Sequence, residues 1–263
     1  GRAHLHRTAE TDAGGSGRTC LLPGYGRRVP RAAGGSPKHR FYRSGGLDLA
    51  DGNAVRIGSR RLTGPRNRTV AEPIGWQVEI LADGVAFEQV FSDPSGWGYR
   101  LAKRVTILPD QPGFAIFHEF QNTGSRPIHR YVYCHNWLRI DGRSPHAGTV
   151  LRFAKTIEGD GRDHPQAQVQ ADEIRFTDEL SQPEPRPFYI KLPGRWTAAD
   201  NEFRLVCADT EAACQVRGDW SPAFVDIYAD ATAVCPEPHF ELDLAPGKSA
   251  TWTTTYRFCP PAD

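Results

Sequence analysis

From Trp76 onward, hydrophobic and polar residues alternate with a period of two in short runs separated by turn residues. WQVEI opens the pattern, VAFEQVF follows the turn Asp83-Gly84, and YRLAKRVTI runs from Tyr99 to Ile107. PDQPG (Pro109 to Gly113) predicts a turn, FAIFHEF (Phe114 to Phe120) the next strand, and Asn122-Thr123-Gly124 another turn before IHRYVYCHNWLRI. Successive side chains of an extended chain point to opposite faces, so each run predicts a strand with one face buried. Turns this short make sequence neighbours antiparallel. FRLVC, ACQVRG, AFVDIY and HFELDL continue the alternation. In SATWTTTYRF it places Ala250, Trp252, Thr254, Tyr256 and Phe258 on one face and Thr251, Thr253, Thr255 and Arg257 on the other.

Two stretches break the pattern. Residues 1 to about 70 are rich in Arg, Gly and Pro (GGSGRT, PGYGRR, AAGGSPKHR) and predict short strands joined by long loops. Residues 155 to 200 are polar and proline-rich, and DELSQPEPRP predicts a long loop over one rim. Neither an amphipathic helix longer than two turns nor an internal repeat is found, which argues against a propeller or solenoid. The reading is an all-β chain built as one domain over 1–263.

Composition narrows the function. Thirty-two basic against 31 acidic residues leave a formal charge of +1, so no global field favours nucleic acid or an anionic membrane. The sequence has no apolar run of membrane-spanning length and no signal-peptide pattern at its start. The expectation is a soluble cytoplasmic protein without nucleic-acid or membrane partners. Six cysteines are scattered with no Cys-x-x-Cys spacing, which argues for small buried thiols rather than a zinc ribbon or disulfide framework.

Two segments carry candidate chemistry. YCHNWLRIDG (Tyr133 to Gly142) sets His135 in an aromatic-rich strand, on one face with Tyr131, Tyr133 and Trp137. CPEPHFELDLAPGKSATW (Cys235 to Trp252) sets Glu237 between Pro236 and Pro238, and proline restricts both its own backbone and that of the residue before it. An imidazole and a carboxylate in one cleft suit paired proton transfer near neutral pH. A hydrogen-bonded core histidine and a rigid strand entry would explain the same residues without chemistry.

Taken together from Trp76 to the end, the segments resemble the aldose 1-epimerase, or galactose mutarotase-like, family, and its loosely characterised bacterial branch most closely. The resemblance rests on Tyr99-x-Leu101-x-Lys103, Asn122-Thr123-Gly124, Tyr133-x-His135-Asn136-Trp137, Pro236-Glu237-Pro238 and Leu244-x-Pro246-Gly247-x-Ser249-x-x-Trp252, in that order. It implies a large antiparallel β-supersandwich with a sugar cleft across a concave sheet. It further implies His135 as the acid that protonates the ring oxygen and Glu237 as the base that takes the anomeric proton. A second family histidine and a sugar-holding aspartate have no assigned counterpart. The implied partner is a monosaccharide or sugar-derived small molecule, and ring opening needs no metal or organic cofactor.

Lys103 could reach a sugar hydroxyl or phosphate, or cap a sheet edge. Asp226 and Tyr228, in AFVDIY, would lie near Glu237 if their strand pairs with its neighbour. Trp76 and Trp97 offer stacking faces or core packing. His118, His129, His146, His164 and His239 lack ligand spacing and read as structural or solvated. Arg27, Arg28, Arg31, Arg40 and Arg43 could form a phosphate-binding rim, with a solvated loop the simpler reading. The sequon Asn67-Arg68-Thr69 carries no weight without a secretion signal. A non-catalytic carbohydrate-binding β-sandwich is the rival class.

Overall fold

Each alternating run becomes a strand. The computed structural model describes residues 46–49, 54–58, 60–63, 69–159, 165–180, 188–210 and 212–259, and every helix or strand among them is a strand. All pairings between named strands are antiparallel. β1 (Gly46–Asp48), β2 (Ala54–Arg56), β3 (Arg60–Thr63) and β4 (Thr69–Pro73) form a four-stranded meander. β5 (Gln77–Leu81), β6 (Gly84–Ser92), β7 (Gly98–Ile107) and β8 (Gly113–Asn122) run as successive hairpins. They join β10 (Thr149–Phe153), β11 (Ala167–Gln170), β12 (Glu173–Phe176), β14 (Glu202–Cys207), β15 (Ala213–Gly218) and β18 (Ser249–Cys259) in a ten-stranded sheet. A facing sheet holds β13 (Phe188–Leu192), β16 (Phe224–Ala229), β17 (Val234–Leu244) and β9 (Ile128–Tyr133), in the order β13-β16-β17-β9.

The core lies between these two large layers. At one end Leu151, Phe203, Leu205 and Val216 meet Ile190, Val225 and Ile227. At the other Tyr99, Leu101, Phe120 and Trp252 meet Val132, Phe240 and Leu242, with Leu47, Val55 and Ile57 added from the N-terminal meander. Full burial of each large apolar side chain contributes about 1.5–3 kcal/mol. Tyr99 is 0% exposed, stacks on Phe91 and Phe120, and donates its hydroxyl to Gln89 Oε1 at 2.7 Å. Burial raises its pKa far above the ordinary tyrosine range, so it stays protonated as a core donor.

The Asn122-Thr123-Gly124 turn is a structural joint. Buried Asn122 donates through Nδ2 to the carbonyls of Arg126 and Leu244, at 2.8 and 2.9 Å, and accepts from the Gly124 amide at 3.0 Å. A side chain at Gly124 would place Cβ 2.4 Å from the Gly96 carbonyl oxygen, so only glycine lets the two turns approach.

The polar, proline-rich residues 155–200 hold more strand than their composition suggested, on either side of the DELSQPEPRP stretch expected to loop. These strands are β11, β12 and β13, and their alternate residues Ala167, Ile174, Phe176, Phe188, Ile190 and Leu192 are buried. With two or three apolar positions each among polar neighbours, strands this short give almost no period-two signal. The proline-rich residues 181–187 lie outside the described residues.

Candidate active site

Alternation along β17 decides which residues form the site. Val234, Phe240, Leu242 and Leu244 point into the core, so Cys235, Glu237 and His239 point off the opposite face of the facing sheet. Those three are nonetheless 0%, 7% and 5% exposed. On β16 the same face carries Phe224, Asp226 and Tyr228, opposite His239, Glu237 and Cys235 in register. On β9 it carries Tyr131 and Tyr133.

His135 reaches this face by leaving the sheet. The structure ends β9 at Tyr133, two residues before His135, which corrects the expectation of a continuous strand through Trp137. The reason is visible in β17. Val234 exchanges both backbone hydrogen bonds with Leu138, so the backbone of Val234, and by alternation of Pro236 and Pro238, faces the β9 side. Neither proline can donate there, so the β9–β17 ladder stops at the His239–Tyr133 pair. Asn136 fills the gap, donating Nδ2 to the Pro236 carbonyl at 2.8 Å and accepting the Tyr256 hydroxyl on Oδ1 at 2.6 Å. The prolines therefore restrain Glu237 and also release the segment that carries His135.

The released segment brings His135 Nδ1 into direct hydrogen-bond contact with Glu237 Oε1, across 102 residues of sequence. Their side chains are 27% and 10% exposed, so the pair opens to solvent on the imidazole side. Cys235 Sγ lies 3.5 Å from Glu237 Oε1 and 3.7 Å from His135 Nδ1. Asp226 stands directly across the ladder from Glu237 at 8% exposure, and its Oδ1 has no hydrogen-bond partner. His239 is clamped between the rings of Tyr133 at 4.1 Å and Phe224 at 4.3 Å, with Nε2 3.4 Å from Asp226 Oδ2.

Aromatic rings wall the pair. Tyr133 meets His135 edge-on at 5.2 Å, Trp137 lies 6.0 Å from His135, and Tyr228 packs edge-on to Trp137 at 5.5 Å. The Tyr228 hydroxyl donates to Asp230 at 3.2 Å, so its ring forms the wall and its oxygen braces a turn. Burial first, and the Glu237 charge second, hold the Tyr133 hydroxyl protonated well above the ordinary range. The charge of Arg56 on β2 acts on it in the opposite sense, which sets a guanidinium within electrostatic reach of the site.

The sequence-predicted residues divide. His135, Glu237, Asp226 and Tyr228 lie on one outward face. Lys103 belongs to another layer: it is 4% exposed among the core-facing residues of β7, its ammonium 4.5 Å from the centre of the Trp76 ring. Trp97 is buried under the Arg126 guanidinium. Arg27, Arg28, Arg31, Arg40 and Arg43, His164, and Asn67 and Arg68 of the sequon lie outside the described residues. Sequence reasoning missed His239, whose position two residues beyond Glu237 on one strand already put it on the same face. It also missed Arg56, a lone charge inside the apolar run AVRIG.

No family model matches the sequence, and no curated protein matches it. Solved structures do match in fold. A galactose mutarotase-related enzyme from Lactobacillus acidophilus superposes with a TM-score of 0.53 at 14% identity, over 78% of this chain and 79% of that one. An aldose epimerase homologue from C. elegans gives 0.53 at 14% identity, over 81% and 80%. A galactose mutarotase-like protein from Lactobacillus casei gives 0.51 at 12% identity, over 80% and 81%. The chain is all-β and antiparallel, and its fold is that of the galactose mutarotase-like proteins.

Proposed function

We propose that the protein is an aldose 1-epimerase-like enzyme that interconverts the anomers of a monosaccharide, with Glu237 as general base and His135 as general acid. The observation that carries this reading is the direct contact of the two side chains on an aromatic-walled face, in a fold shared with mutarotase-like proteins. In a cyclic hemiacetal the anomeric hydroxyl and the ring oxygen are bonded to one carbon. A base and an acid that serve both must therefore be neighbours themselves.

The cycle balances within the pair. Glu237 takes the proton of the anomeric hydroxyl, whose oxygen becomes the aldehyde carbonyl as the bond from the anomeric carbon to the ring oxygen breaks. His135 protonates the departing ring oxygen. Rotation about the adjacent carbon–carbon bond presents the other carbonyl face, and closure returns both protons. Asp226 Oδ1 accepts from a sugar hydroxyl, and Tyr228 and Trp137 supply apolar walls for the ring's carbon face.

The rival reading, a carbohydrate-binding protein without turnover, draws on the same contact, because an imidazole and a carboxylate that satisfy each other form a stable structural pair. Polarimetry on freshly dissolved α-anomers separates the two. Acceleration over the uncatalysed rate is expected for at least one hexose or pentose. Sugar binding without acceleration across a broad panel would establish the rival.

A further inference from the structure

Cys235 has no part in the proposed ring opening, yet its thiol is fully buried on the same face as the acid/base pair. Tetrahedral zinc with bonds of about 2.0–2.3 Å holds its ligand atoms roughly 3.3–3.8 Å apart. Cys235 Sγ already stands 3.5 Å from Glu237 Oε1 and 3.7 Å from His135 Nδ1. Only the imidazole–carboxylate edge is shorter, and it opens when its hydrogen bond is exchanged for two metal bonds. One nitrogen, one thiolate and one carboxylate form a donor set of zinc's preferred type, with the partly exposed imidazole side left for a fourth, exchangeable ligand.

Asp226 gives an independent indication. The residue is 8% exposed, Oδ1 has no hydrogen-bond partner, and its strand position is directly opposite Glu237. Asp226, Glu237 and His239 have ligand atoms within 4.8 Å of one another, as do His135, Cys235 and Glu237. Two opposed, buried carboxylates beside a thiol call for positive charge, and a dication at Glu237 supplies it.

We propose that His135 Nδ1, Cys235 Sγ and Glu237 Oε1 form a divalent zinc-class site, and that the ion reversibly blocks the proposed acid/base pair. On binding, the thiol proton leaves to solvent and the sulfur, nitrogen and oxygen lone pairs pass to the metal. The general base and the general acid are then both engaged. The inhibitory half rests on the acid/base reading above; the metal site does not.

The test is a cobalt(II) titration of the full chain in chelator-free reducing buffer. A near-ultraviolet thiolate-to-cobalt charge-transfer band saturating at one ion per chain and bleached by zinc(II) is expected. It should vanish in Cys235→Ser and weaken at least tenfold in apparent affinity in His135→Asn. Cys235→Ser should also keep its metal-free mutarotation while needing at least tenfold more zinc for half-inhibition. No band, or a band that survives Cys235→Ser, would overturn the site. A Cys235-dependent band in a protein that turns over no sugar keeps the metal site and removes the acid/base reading. Sugar turnover without the band does the reverse.

Discussion

Asp226 and Glu237 are direct partners on the β16–β17 ladder, both carboxylates on the outward face and both less than a tenth exposed. Like charges directly opposite on a sheet disfavour one another, and burial strengthens the penalty. The arrangement is costly to the fold, and it leaves Asp226 Oδ1 as an unpartnered acceptor that the proposed reading assigns to a sugar hydroxyl. Asp226→Asn is therefore expected to raise stability by roughly 1 kcal/mol while weakening sugar binding at least tenfold. Thermal denaturation and calorimetric sugar titration check the two halves. A loss of both would mean that Asp226 serves packing alone.

Glu237→Gln keeps the shape of the side chain and removes its basicity, and His135→Gln removes the ring nitrogens that carry the proton. Each is expected to lower kcat for mutarotation by roughly 10²–10⁴-fold, the usual contribution of a positioned acid or base. In the proposed reading the two act in one proton cycle, so the double variant should be little worse than either single one. Multiplicative losses in initial-rate measurements would count against a coupled pair.

Asn136 is a positioning residue in the proposed reading. It spans the gap that Pro236 and Pro238 leave in the ladder, and it holds the segment carrying His135 against the strand carrying Glu237. Asn136→Ala removes two buried hydrogen bonds, the one it donates to the Pro236 carbonyl and the one it accepts from the Tyr256 hydroxyl, at a cost of about 2–4 kcal/mol. Asn136→Asp keeps the acceptor for Tyr256 and loses the donor to Pro236. For Asn136→Asp we expect kcat to fall while KM stays within about twofold, read from initial rates on protein shown to be folded by circular dichroism. An unchanged kcat would show that His135 is placed without this bond.

Much of this architecture was legible as alternation, because a strand with one buried face writes its period into the sequence. The parity of Cys235, Glu237 and His239 was legible too, but His239 has no partner at ligand spacing in the sequence to mark it. Spacing rules describe helices and turns that bring ligands together locally. Here the neighbours of Glu237 come from β16, β9 and the released segment, so register assembled the site rather than sequence distance. The end of β9 was hidden for a similar reason: the prolines that end it lie on β17. In the motif resemblance, Asn122-Thr123-Gly124 reports a close turn-to-turn contact and Tyr99 a core hydroxyl, and both speak for the fold rather than for chemistry. Lys103, drawn from the same motif, packs against the Trp76 ring on the core side.

The last prediction concerns acid stability and a histidine remote from the site. His118 is buried on β8, stacked on Trp252 with ring centres 4.8 Å apart, and burial first, with the nearby Lys103 charge second, pulls its pKa down to about 3. In the unfolded chain a histidine titrates near 6.5. Between those values the unfolded state binds the extra proton, so stability is fully present above about pH 6.5 and falls as pH drops towards 3. At pH 5 the loss from this one group is about 2 kcal/mol. His118→Phe retains an aromatic ring against Trp252 and removes the titration. Urea denaturation of both proteins at pH 7.5 and pH 5 should show the difference in unfolding free energy between them moving by about 2 kcal/mol in favour of the phenylalanine variant at the lower pH. Parallel losses in the two proteins would mean that other groups govern the acid limb, and that protonated His118 finds a partner in the folded state.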